Sequence, residues 1–237
     1  MVMKAALITG SSSGIGKAIA AKLLHNEIQV IGLARDHSKF TPESGEYYPI
    51  TADLSDVKKL EKITRGILKD YPQISIFISN AVYGDFRNLE NFSAPQIHDF
   101  FNVNLIAQII LCRYLSTHFK SNGGGNIIIL GSEAALTGKK KGTLYSAAKF
   151  GLRGFAQALR DEVGTSGVGV SVINPGLVRT PFFDNLDFEP GDRENNAIAP
   201  EDIAKIVLEL LGTRSGTIID EINLSPGSHS INFKQNS

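Results

Sequence analysis

The chain has 237 residues, 42% of them hydrophobic and 20% charged, which is enough for one substantial core and ordinary for a water-exposed globular protein. Its 24 basic residues balance its 24 acidic ones, so no global field draws it to nucleic acid or to an anionic membrane. A single cysteine, Cys112, excludes an intrachain disulfide and a thiolate metal site, and the five histidines form no metal-binding pair, so no metal is expected.

The N-terminal run Ala5 to Ile8 is too short for a signal-peptide core, and no window approaches the ~20 apolar residues of a membrane span. A soluble, cytoplasmic protein is the expectation. Short apolar runs then alternate with longer amphipathic ones, the pattern of β-α units around a parallel sheet. Strands are predicted near Lys4 to Thr9, Gln29 to Ala34, Tyr47 to Thr51, Ile74 to Ser79, Asn126 to Gly131, Val168 to Asn174 and Thr217 to Leu224. Helices are predicted near Ile15 to Asn26, Val57 to Tyr71, Pro95 to Lys120, Thr143 to Thr165 and Pro200 to Leu211. This is an α/β class chain: one Rossmann-like, doubly wound parallel sheet of about seven strands with helices on both faces. The single domain spans 1–237. Residues 181–199 form its longest irregular internal stretch and read as a substrate lid. A polar, loose tail is expected over 225–237. Cys112 lies in the apolar run Leu105 to Leu115 and reads as a small buried hydrophobe.

The first strand runs into Thr9-Gly10-Ser11-Ser12-Ser13-Gly14-Ile15-Gly16 and then a helix. Glycines at 10, 14 and 16 suit a tight turn, close backbone approach to a pyrophosphate and close helix–strand packing. The helix start adds exposed N–H groups and a positive dipole end, which favour a diphosphate. No Ser or Thr follows Lys17, so a nucleoside triphosphatase turn is not present. At the end of the second strand stands Ala34, where an acidic residue would grip a ribose 2′-hydroxyl. Arg35 follows with a fork suited to phosphate, which favours NADP(H) over NAD; Asp36 keeps NAD open if the register slips.

Tyr145 and Lys149 lie four apart near the start of a helix and so share a face, where the lysine charge is expected to lower the tyrosine pKa. Ser132 sits just past the fifth strand, in reach of a substrate oxygen.

With these residues in place, the chain resembles the short-chain dehydrogenase/reductase family from Lys4 to about Leu224. The resemblance rests on the turn Thr9 to Gly16, Asp53-Leu54, Asn80-Ala81, Asn104, Ser132, Tyr145 with Lys149, and Asn174-Pro175-Gly176. It implies a catalytic set of Asn104, Ser132, Tyr145 and Lys149. Tyr145 would be the acid in reduction, Ser132 would hold the carbonyl oxygen, Lys149 would tune the phenol and bind the nicotinamide ribose, and Asn104 would seat a water. It also implies cofactor contacts at Gly10, Ser12, Ser13, Gly14, Ile15, Gly16, Arg35, Asp53, Leu54, Asn80, Ala81, Tyr145, Lys149, Pro175, Gly176, Val178 and Thr180. One departure stands out: Val82 follows Asn80-Ala81 where the family has glycine. Valine does not readily take positive φ, so either the loop is re-routed, with Gly84 as the flexible residue, or cofactor binding is altered.

The implied function is NADP(H)-dependent reduction of a carbonyl on a small apolar or aromatic substrate, by a homodimer or homotetramer. Leu136, Tyr83, Phe86, Phe182 and Phe183 are candidate pocket walls, and Lys139-Lys140-Lys141 reads as a solvated basic turn. The rival readings are an NAD-dependent alcohol dehydrogenase and a non-catalytic NADP(H)-sensing protein.

Overall fold

The computed structural model describes residues 4–214 and 216–234. Seven strands, β1 (Ala5–Thr9), β2 (Gln29–Ala34), β3 (Tyr47–Thr51), β4 (Ile74–Ser79), β5 (Gly125–Leu130), β6 (Val168–Pro175) and β8 (Glu221–Leu224), form one sheet in the order β3-β2-β1-β4-β5-β6-β8. Every neighbouring pair in it is parallel. Parallel neighbours need crossovers, and the helices α1 (Gly14–His25), α2 (Val57–Asp70), α3 (Ala94–Phe101), α4 (Ala107–Ser121), α5 (Thr143–Val163) and α6 (Pro200–Gly212) supply them.

The strand side chains alternate between two cores. Ala5, Leu7, Ile31 and Leu33 face Leu60, Leu111, Leu152 and Leu159 of α2, α4 and α5. Ala6, Ile8 and Val30 face Ile19 and Leu23 of α1 and Ile203 and Val207 of α6. Both sides of the central strands are thus sealed, each large apolar side chain contributing roughly 1.5–3 kcal/mol relative to exposure. Cys112 is fully buried on the first of these faces, as its apolar surroundings predict.

Three elements depart from the sequence reading. The predicted helix Pro95 to Lys120 is broken by a π-helical turn over Asn102–Ile106. Buried polar side chains occupy its carbonyls: Asn104 Nδ2 donates to Phe100 O at 3.0 Å, and Gln108 Nε2 donates to Val103 O at 3.1 Å. The last sheet strand begins at Glu221, not Thr217.

The third departure is the segment after Ser225. Instead of a loose tail, its described part folds back as β9 (Ile231–Phe233), antiparallel to β7 (Phe188–Pro190) within the 181–199 stretch expected to form a lid. Asp187 O and Ser230 O close the ribbon, accepting from Lys234 N at 2.8 Å and Gly191 N at 2.9 Å. Residues 235–237 of the predicted tail lie outside the described residues.

Candidate active site

The sheet order reverses between β1 and β4, and a cleft of about 1480 Å³ opens at the C-terminal ends of these strands. Such a switch point is where open parallel sheets bind ligands, because two loops diverge there.

One arm of the cleft is the glycine-rich turn. Gly10 has φ +68° and Gly14 φ +52°, so both hold conformations that side chains resist. A Cβ on Gly16 would run into the Gly10 carbonyl, so the third glycine lets the helix seat on the strand. Ser12, Ser13, Gly14 and Ile15 line the cleft. Asn80 does not face outward alone: its Nδ2 donates to Thr9 O at 2.8 Å, and the Asn80 and Ala81 N–H groups both donate to Thr9 Oγ1 at 2.9 Å. Asn80 and Ala81 therefore bind the end of β4 to the start of the turn as well as lining the cleft.

At the far end, Ala34 closes β2 and Arg35, Asp36, Asp53 and Leu54 line the wall. Asp36 is held on a local loop, accepting from Ser38 N at 2.8 Å and Ser38 Oγ at 2.9 Å. Asp53 likewise accepts from Ser55 N at 2.9 Å. The Ser55 N–H and hydroxyl, with the Arg35 guanidinium behind them, hold its carboxyl below the usual range. Arg35 enters none of the ion pairs among the described residues.

The middle of the cleft carries Ser132, Tyr145 and Lys149, all buried. Ser132 N donates to Asn174 Oδ1 at 3.3 Å, and its Oγ accepts from Ala134 N at 3.1 Å. A Cβ on Gly131 would collide with that Asn174 oxygen, so glycine is required beside the serine. Lys149 Nζ donates to Leu130 O at 2.7 Å and stands 5.7 Å from the centre of the Tyr145 ring. Desolvation dominates here. It pushes the Tyr145 phenol up to about 12, against the opposing hydrogen bond from Ser132, and pulls Lys149 down to about 7. This corrects the expectation of a lowered phenol pKa. The ring stays protonated at neutral pH because burial outweighs any help from the lysine.

Asn104 is buried between Tyr83 N, which donates to its Oδ1 at 3.1 Å, and the Phe100 carbonyl. Its side chain thus anchors the loop after β4. Val82 keeps a negative φ and packs in an aromatic cluster with Phe86, Phe100 and Tyr145. Gly84 is not the flexible substitute either; it is small because a Cβ there would stand 2.6 Å from Phe182 Cζ and 2.8 Å from Phe86 Cε2. No residue of this loop takes positive φ.

Pro175 and Gly176 end β6, Gly176 N donating to Leu224 O at 2.8 Å. Val178 is buried and bridges Ile198, and the Thr180 methyl lies 3.4 Å from where a Gly14 Cβ would be. All of them line the cleft. Phe86 and Phe182 lie 5.1 and 5.9 Å from the Tyr145 ring. Tyr83, Phe183 and the three lysines 139–141 also line the cleft, whereas Leu136 does not.

A profile of short chain dehydrogenases matches residues 4–190. The chain belongs to the short-chain dehydrogenase family. As a member it is an oxidoreductase of the class that interconverts CH–OH and C=O groups with a nicotinamide dinucleotide. This dehydrogenase is 34% identical over 186 residues to a 3-oxoacyl-[acyl-carrier-protein] reductase of Buchnera aphidicola, covering 77% of this chain and 76% of the relative. It is 28% identical over 246 residues to the sepiapterin reductase of Chlorobaculum tepidum, covering 95% and 97%. Among solved structures, the alcohol dehydrogenase of the archaeon Thermococcus sibiricus complexed with 5-hydroxy-NADP superposes with a TM-score of 0.82 at 25% identity, covering 94% of this chain and 96% of that one. A metagenomic short-chain oxidoreductase in complex with NADP gives 0.82 at 28%, covering 95% and 99%.

Sequence reasoning missed several lining or supporting residues of this dehydrogenase and, for Asn174 of the Asn174-Pro175-Gly176 motif, its partners. Gln108, buried, accepts from Ser79 Oγ at 2.7 Å and donates to Ala81 O at 3.2 Å, tying α4 to the cleft loop. Asn174 Nδ2 donates to Glu221 Oε1 at 2.7 Å, and Glu221 in turn accepts from Arg153 Nε at 3.0 Å. Phe188, His229, Ile231 and Phe233 line the cleft from the β7–β9 ribbon. A polar residue inside an apolar helical run flagged Gln108 in principle, but a three-residue strand such as β9 leaves no periodic trace.

Proposed function

We propose that this enzyme reduces a carbonyl group of a small apolar or aromatic compound, with NADPH as cosubstrate and Tyr145 as the general acid. The observation that carries the reading is the convergence of Ser132, Tyr145 and Lys149 between the glycine-rich cradle and the Phe86–Phe182 aromatic wall.

The residues fit a dinucleotide. A Cβ at Gly16 has no room, Gly10 and Gly14 expose backbone in conformations that side chains resist, and the α1 N-terminus faces the same cleft. Gly10 to Gly16 would hold the diphosphate, Arg35 the 2′-phosphate, Asp53, Leu54, Asn80 and Ala81 the adenosine half, and Lys149, Pro175, Gly176, Val178 and Thr180 the nicotinamide half. Asp36 is held on Ser38, which leaves Arg35 as the group at that end suited to a 2′-phosphate. The NADP complexes of the two structural relatives support the same choice. When bound, NADPH supplies the hydride.

Everything else falls to the chain. The Ser132 hydroxyl would donate to the substrate oxygen and steady the negative charge that grows there. Tyr145, protonated at neutral pH because burial holds its pKa up to about 12, would give that oxygen its proton. The aromatic wall would exclude water from the reacting carbon. Asn104 would keep the loop carrying Tyr83 against the wall. The apolar faces of α4 and α5, with Ile106 and Phe150 exposed beside them, suit a homodimer or homotetramer.

The test is turnover of aldehydes, ketones and diketones with NADPH. Tyr145→Phe keeps the ring packing and is expected to lose roughly 10²–10⁴ in kcat while binding NADPH as before. Ser132→Ala is expected to lose about 10²–10³. A Tyr145→Phe enzyme that retains most of its turnover would mean the proton comes from elsewhere. A wild type that binds NADPH and reduces nothing in the panel would favour the sensing protein.

A further inference from the structure

The aromatic wall does not stop at the catalytic tyrosine. From the Tyr145 ring a row of side chains runs outward: Phe86 at 5.1 Å, then Phe188 at 5.2 Å from Phe86, then the strand paired with Phe188. In that pairing Phe188 stands opposite Phe233, and Pro190 opposite Ile231. Residues two apart on a strand share a face, and directly opposed residues on neighbouring strands project to the same side of the ribbon. Ile231 and Phe233 therefore prolong the row, and both line the cleft.

They are also left open: Ile231 is 46% and Phe233 71% exposed. A single exposed apolar side chain needs no explanation. Two on one strand face, continuous with a half-buried aromatic row that begins at the proton donor, describe the outer half of a binding surface. The surface is preformed. Lys234 Nζ donates to Phe183 O at 2.5 Å and Asp184 O at 3.1 Å, Asn232 Nδ2 to Asp192 Oδ1 at 3.0 Å, and Ser228 N to Asn195 O at 2.9 Å, so β9 is stitched to the lid on both sides.

We propose that Ile231 and Phe233 form a specificity subsite for an extended apolar group of the substrate, a chain or ring system that reaches from the carbonyl at Tyr145 along Phe86 and Phe188 to the cleft mouth. The substrate class is thereby a carbonyl compound with a long hydrocarbon arm, not a compact ketone. The inference rests on the carbonyl-reduction reading above.

The experiment compares wild type with an Ile231→Ser/Phe233→Ser double variant and a Phe233→Ser single variant. Each is given methyl ketones of increasing chain length, from butanone to dodecanone, with NADPH. The reading is the slope of log kcat/KM against chain length. In the wild type it rises by up to about fourfold per methylene for those that reach β9, the worth of a buried CH₂. In the double variant the rise ends several methylenes earlier, costing the longest ketones at least about tenfold relative to the shortest. The single variant flattens only the far end. Parallel slopes in all three proteins overturn the subsite. If, in addition, the double variant shrinks by light scattering, the face belongs to a second copy of the chain and the proposal equally fails. Calorimetric binding of dodecanone to the NADP⁺-loaded protein separates the two layers. Binding that weakens in the double variant without any turnover in the wild type sinks the chemistry and keeps the subsite; turnover with flat slopes sinks the subsite and keeps the chemistry.

Discussion

Arg35 and Asp36 stand side by side after β2, and their partners separate their roles. Asp36 satisfies its carboxylate on Ser38, and the two donors lower its pKa, so it is locked as an anion that supports a turn. Among the described residues Arg35 has no such partner, and it lines the cleft. Arg35→Ala should weaken NADPH by about 1.5–3 kcal/mol, the scale of a hydrogen bond to a charged group, and leave NADH nearly unchanged. Fluorescence titration of both cofactors checks this, and an indifferent variant would remove the basis for preferring NADPH. The place of the arginine on the cleft wall was legible in the sequence because a residue that follows a strand end needs no distant partner to be located. The direction of the Tyr145 shift was not. Helical spacing places Lys149 beside the ring, but the depth of burial that decides the sign depends on Phe86 and Phe182, from two other loops.

At the scale of elements, strong periodicity was readable and short or polar-broken structure was not. The helix α1 and its turn appear where Ile15, Ile19 and Leu23 place them, whereas the π turn at Asn102–Ile106 needs Gln108 to find Ala81 and Ser79, contacts far apart in sequence. The ribbon β7–β9 pairs segments some forty residues apart with three residues each, too few to reveal alternation. The fit of α1 to β1 has a sharp test. Gly16→Ala places a methyl against the Gly10 carbonyl, a backbone atom that cannot swing aside, and should cost roughly 1–3 kcal/mol with loss of cofactor binding. Gly66→Ala in α2, where a Cβ meets nothing within 4 Å, should stabilise by up to about 1 kcal/mol through helix propensity. Urea denaturation of both variants measures the contrast, and equal effects would deny the close packing.

For the molecule as a whole, the buried Lys149 makes stability depend on pH. Its ordinary value of 10.5 falls to about 7 in the fold. Below pH 7 folded and unfolded chains both hold the proton, and burying the charge costs its full amount. Between 7 and 10.5 the unfolded chain holds a proton the folded one has released, so stability rises with pH by about 1.4 kcal/mol per unit. Tyr145 acts in the opposite sense, and from its ordinary 10 to about 12 stability falls again. Melting curves of the cofactor-free protein should therefore climb from neutral to mildly alkaline pH, and Lys149→Met should flatten the climb; parallel curves would contradict the burial argument. The sheet order has a kinetic consequence as well. β1, the first strand made, has β2 on one side and β4 on the other, and each pairing waits for a crossover to close. Non-local parallel pairing of this kind sets a slow tempo for folding, with the apolar edge of β1 open until residues 74–79 arrive. Refolding from denaturant should then lose protein to aggregation at high concentration, and a ligand that needs the turn, β4 and α5 assembled together cannot shelter the chain before that docking is complete.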